Sequence, residues 1–84
     1  MKEITRKIQV LGLDRKQCKE AADNAASAAG ELGIKHQVEQ INDISEFINF
    51  DIVRSSTPAL AVDGKVKVAG RVPGKDEIKN ILSK

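Results

Sequence analysis

Between residues 3 and 41 the apolar positions change period twice, and this constrains the fold more than any other feature of the chain. In EITRKIQVL, residues 3 to 11, Ile4, Ile8 and Val10 alternate with Arg6, and Gly12 follows Leu11, so the stretch reads as a strand ending in a turn. From Asp14 the period becomes helical: Cys18, Ala21, Ala22, Ala25, Ala28, Ala29 and Leu32 share one face, with Arg15, Lys16, Lys19, Glu20, Asp23, Ser27 and Glu31 opposite. Asp14 with Gln17 three residues on has the spacing of a capping box, and Gly33 suits the left-handed position past a last helical turn. KHQVEQI, residues 35 to 41, is strand-like again. Strand, helix, strand in that order predicts a right-handed crossover with the two strands parallel.

The second half continues the alternation of elements. Asp43 stands three residues ahead of Glu46, before Ile44, Phe47 and Ile48, and predicts a short capped helix. The runs ALAV and KVKVA flank Asp63-Gly64, a pair whose tolerance of positive φ makes it a strong signal for a tight antiparallel hairpin. Lys65 and Lys67 alternate with Val66 and Val68 on what would be an edge strand, where lysines protect against edge pairing. Past Pro73 and Gly74, Ile78, Ile81 and Leu82 line one face of a last helix, opposite Lys75, Asp76 and Lys79. The order is βαβαββα, expected to form an α/β, four-stranded mixed sheet with helices on both faces.

Composition narrows the function classes. Residues 1 to 84 are expected to form a single domain, and a chain of that length buries only about 60% of its unfolded surface, so its core must be simple. The two aromatics, Phe47 and Phe50, leave that core aliphatic and alanine-rich. A net charge of +2 from 14 basic and 12 acidic side chains, with no aromatic stacking platform, argues against nucleic acid as a partner. No apolar run approaches the roughly 18 to 20 residues of a membrane span. MKEITRKIQV carries charges where a signal peptide would be apolar, and the single cysteine forms no internal disulfide or zinc cluster, so a reducing cytoplasmic setting is expected. His36 has no partners at ligand spacing; no metal site and no cofactor is indicated. The glycines form no phosphate-binding fingerprint.

Three segments together carry a family resemblance: VLG at 10 to 12, ELGI at 31 to 34, and STPALAVDGKVKVAGRVPGKDEI at 56 to 78. Across nearly its whole length the chain resembles small thioredoxin-like redox proteins of glutaredoxin size. The resemblance implies a thioredoxin-like fold, a thiol-disulfide oxidoreductase lineage, a cis-proline at Pro58 facing the active site, and main-chain groups of Thr57 offered to a bound peptide. It also places the family's attacking cysteine on Arg15 and its resolving cysteine on Cys18, so that Arg15-Lys-Gln-Cys18 stands where Cys-x-x-Cys would be.

Two functions follow as expectations. One is a redox-lineage protein with a degenerate active site, capable at most of monothiol chemistry through Cys18 and pairing with a protein or peptide thiol or disulfide. The other is a non-catalytic binding module that uses the proline groove and a basic rim for a peptide or small anion. Cys18 lies on the alanine face, where a free cysteine acts as a small buried hydrophobe; as a monothiol it must be reachable, with Lys16 and Lys19 favouring the thiolate. The fold would bring Arg15, Lys16, Arg54 and Arg71 to one end of the sheet, as an anion-binding cluster or as a solvating rim. A monomer or weak dimer is expected.

Overall fold

The computed structural model describes residues 5 to 83. Its elements are β1 (Arg6–Leu11), α1 (Arg15–Glu31), β2 (His36–Ile41), α2 (Ile44–Phe47), β3 (Ala59–Val62), β4 (Lys65–Ala69) and α3 (Lys75–Leu82), with short 3₁₀ turns at Ile48–Phe50 and Arg54–Ser56. Positions 3 and 4 of the expected first strand lie outside the described residues. The strands run β2-β1-β3-β4 across one sheet, β1 parallel to β2 and antiparallel to β3, β3 antiparallel to β4. The α/β architecture and βαβαββα order are those expected.

Local chemistry accounts for the boundaries. Asp14 accepts hydrogen bonds from the amides of Lys16 and Gln17 at 3.0 and 3.1 Å and opens α1. At the other end Gly33 has φ +67°, its N–H donates to Gly30 O and that of Ile34 to Ala29 O, the paired bonds of a Schellman motif. Asp63 and Gly64 both take positive φ in the β3–β4 turn. The Asp63 carboxylate also accepts from the Lys7 amide at 3.0 Å and from Arg6 Nε at 2.6 Å, fastening the hairpin tip to β1.

The sheet separates two apolar layers. Ile8, Val10, Leu60, Val62 and Val68 pack against the alanine face of α1 and against Ile78 and Leu82 of α3. On the opposite side Leu11, Ile41, Ala59 and Ala61 are covered by Phe47 and Ile52. That second cover reaches only part of the face; the remainder carries Lys7, Gln9, Gln37 and Glu39 around an open groove.

Two side-chain placements depart from simple periodicity. The short helix forms where expected, capped by Asp43, but of its apolar segment only Phe47 is buried, while Ile44 and Ile48 are half and three-quarters exposed (50% and 75%). Ile44 is the first residue of the helix and Ile48 already belongs to the 3₁₀ turn that follows it, so the helical register that would align them is not sustained, and the large ring of Phe47 takes the core. On β4, regular alternation predicts Val66 and Val68 on one face. A bulge opposite Leu60 and Ala61 lets Val68 pair with Leu60 and Val66 with Ala61, so the two valines serve opposite layers.

Candidate functional site

The β1–α1 connection is built around Gly12. Its N–H donates to Ile41 O at 3.0 Å, prolonging the β1–β2 pairing by one residue, and its carbonyl accepts from Asn42 Nδ2 at 2.8 Å. A Cβ at this position would lie 2.8 Å from Cys18 Sγ and 3.5 Å from Pro58 Cα. Only a residue without a side chain lets the sulfur and the proline approach from two sides. Arg15 is the first residue of α1 and is exposed, as is Lys16; Cys18, one turn further in, has no exposed surface.

Burial pushes the Cys18 thiol above its usual value, and the Asp14 carboxylate adds to the rise. Asn42 opposes both: its Nδ2 reaches Sγ at 3.8 Å, a contact that favours the thiolate. Cys18 is therefore a protonated, covered thiol at neutral pH. The helix N-terminus that would activate a cysteine is largely spent on Asp14.

Pro58 is buried beside this layer, and the Thr57–Pro58 peptide is cis. Thr57 donates twice to Arg54 O, through its N–H at 3.2 Å and its hydroxyl at 2.6 Å, which closes the Arg54–Ser56 turn. The Thr57 N–H is thus committed within the turn, and its carbonyl accepts no hydrogen bond among the described residues. Gly70 N–H donates to both Ser56 O (2.7 Å) and Pro58 O (3.0 Å), drawing the β4–α3 connection alongside. The three loops expected to converge do meet at one end of the sheet.

The basic side chains there differ in their engagements. Arg15, Lys16 and Arg54 are exposed. Arg71 forms a two-point ion pair with Glu77 of α3, which holds the glutamate below its usual range and raises the guanidinium. Four large apolar side chains are exposed among the described residues: Leu13 next to Gly12, Ile44 two residues beyond Asn42, Ile48 one turn on, and Val53 before the Arg54 turn. Acidic Asp43, Glu46 and Asp51, also exposed, are interspersed along the 42 to 53 segment. His36 rests its ring nitrogen Nδ1 on Ile34 O at 2.8 Å. Among the described residues no three His, Cys, Asp or Glu side chains gather as a metal-ligand group, and no helix is long and apolar enough to cross a membrane.

Asn42 and Glu77 escape a reading of the sequence. Asn42 lies beside Asp43 in what looks like a helix cap, and its contact to a residue 24 positions earlier has no local signature. Gly12 is visible only as a turn glycine.

Comparison with known proteins gives a consistent result. The model of a family described as thioredoxin domain matches residues 6 to 83. A protein named thioredoxin from Methanothermobacter thermautotrophicus is 40% identical over 77 residues, covering 92% of this chain and 97% of its own length. Another thioredoxin, from Methanocaldococcus jannaschii, is 29% identical over 75 residues, covering 89% and 84%.

Proposed function

The chain belongs to the thioredoxin domain family, and on that footing we propose that it is a redox-lineage protein with a degenerate active site, docking a protein or peptide partner at the Pro58 end and lacking dithiol exchange. The observation that carries this reading is the position of Cys18: its sulfur is buried hard against Gly12, with Arg15 rather than a second thiol at the head of the helix. A disulfide between positions 15 and 18 has no second sulfur. The chemistry left is monothiol. The Cys18 thiolate attacks a partner disulfide, forming a mixed disulfide as the partner's own S–S bond breaks and releases a partner thiolate, and an external thiol is needed for turnover.

A purely binding role is favoured separately by the exposed set Leu13, Ile44, Ile48 and Val53. Apolar contact from these residues, with Arg15, Lys16 and Arg54 beside them, suits a peptide better than a small anion, since Arg71 is already paired to Glu77. The Thr57 carbonyl, with Pro58 behind it, is the main-chain acceptor on that surface. A lone buried thiol fits a reducing, cytoplasmic setting, and the one sheet with its two layers fits a single domain.

Insulin reduction with dithiothreitol tests the redox part. The natural sequence is expected to stay at the uncatalysed rate, and Arg15→Cys to raise it by restoring two thiols three residues apart; replacing Asp14 as well frees the helix N–H groups and raises it further. Strong catalysis by the natural sequence would overturn the reading.

A further inference from the structure

We propose that Asn42 is the positioning residue of Cys18: its side-chain amide, anchored on Gly12 O, is the removable cover over the sulfur. This rests on the reading of Cys18 as a masked monothiol and adds what masks it. Asn42 is an exposed residue on the connection between β2 and α2, and its Nδ2 lies 2.8 Å from Gly12 O and 3.8 Å from Sγ. The other neighbours cannot give way. Gly12 is fixed by its bond to Ile41 O, Pro58 is buried beyond it, and Ala21, Ala22 and Leu60 belong to the core layer that includes Cys18. The sulfur has no exposed surface although a solvent-exposed side chain touches it. On this assignment one side-chain rotation, breaking the bond to Gly12 O and the longer contact to Sγ, uncovers the thiol.

The amide has a second effect once the cover is in place. Nδ2–H donates to Sγ, and a donor at that distance favours the thiolate. Of the charged groups, Asp14 on the same helix acts on the sulfur, the Asp43 carboxylate next to Asn42 is turned to the Ser45 amide and hydroxyl, and Arg15, Lys16 and Lys19 on α1 are exposed to solvent. Gly12 and Pro58 bring none. An aspartate at position 42 would be the nearest carboxylate to Sγ.

Alkylation of the folded protein by iodoacetamide against pH reads both effects, because the thiolate displaces iodide and nothing else in the described chain is a thiol. Asn42→Ala should raise the alkaline plateau rate by roughly tenfold, the value of losing one hydrogen bond that holds a cover closed. Asn42→Asp, isosteric but negative, should move the midpoint of the profile upward. Asp43→Ala, which removes the α2 cap and leaves Asn42 in place, should change neither by more than about twofold. An unchanged plateau in Asn42→Ala, an unchanged or lowered midpoint in Asn42→Asp, or equal acceleration in Asp43→Ala would each overturn the assignment. No partner is present in this assay, so the role of Asn42 is decided even for a protein that docks nothing and forms no mixed disulfide, and insulin reduction can fail separately.

Discussion

Gly12 holds its place because of what its missing side chain would strike. A methyl at that position meets a sulfur that cannot retreat, since Cys18 is packed against Ala21, Ala22 and Leu60. Gly12→Ala is therefore expected to destabilise the protein by about 1–3 kcal/mol through overpacking. Cys18→Ala removes the obstructing atom, so the double variant Gly12→Ala/Cys18→Ala should lose clearly less than the sum of the two single changes. Urea denaturation of the four proteins measures this; strict additivity would mean that glycine is needed there for some reason other than the sulfur. The burial of Cys18 is legible in the sequence, because its position follows the alanine stripe of α1. What covers it is not: Asn42 arrives from the far side of the parallel strand pair, and no spacing rule connects residues 18 and 42.

At the level of elements, α1 and the β3–β4 hairpin are legible because both ends of each are set by neighbours in sequence: Asp14 and Gly33 for the helix, Asp63-Gly64 for the turn. β4 shows the limit of that logic. Strict alternation puts Val66 and Val68 on one face, but the bulge spends Lys67 as an unpaired residue and turns the valines to opposite layers. Their substitutions should differ accordingly. Val68→Ala, in the layer beneath α1 and α3, should cost about 2 kcal/mol, and Val66→Ala, half-buried against the layer that holds Phe47, about 1 kcal/mol. Equal losses would speak for regular alternation. The site follows the same division. The meeting of the 12–16, 54–58 and 70–73 loops is readable from topology, whereas the capture of Arg71 by Glu77 depends on how the β4–α3 connection turns, which composition does not encode.

For the molecule as a whole, the titrating groups favour the fold in opposite pH ranges. Glu31, paired with Lys75 and Lys79, and Asp43, Asp63 and Glu77 are all held below the usual carboxylate range. Each contributes stability that is complete above its unfolded value and is lost as pH falls through the folded one. Cys18 has the reverse sign: its thiol is raised in the fold, so above the free-thiol range near 8.5 the unfolded chain releases a proton that the folded one retains, and stability falls as pH rises. Denaturation midpoints should therefore be highest between these limits. The alkaline decline from this group has a ceiling of about 1.4 kcal/mol per pH unit, and Cys18→Ala should reduce the decline; an unaltered alkaline limb would assign it to other groups. Arg6 gives the molecule a further property. It holds Asp63 with Nε and lies 3.4 Å from Leu82 O through Nη1, so the start of the first strand and the end of the last helix are side by side. β1 runs from there toward Gly12, about 20 Å away at the strand's length. The start of β1 and the end of α3 thus share one pole, and Cys18 and Pro58 occupy the other. A surface or a binding reagent that gripped the molecule at Arg6 and Leu82 would hold it by one pole and leave the Pro58 pole open to a visitor.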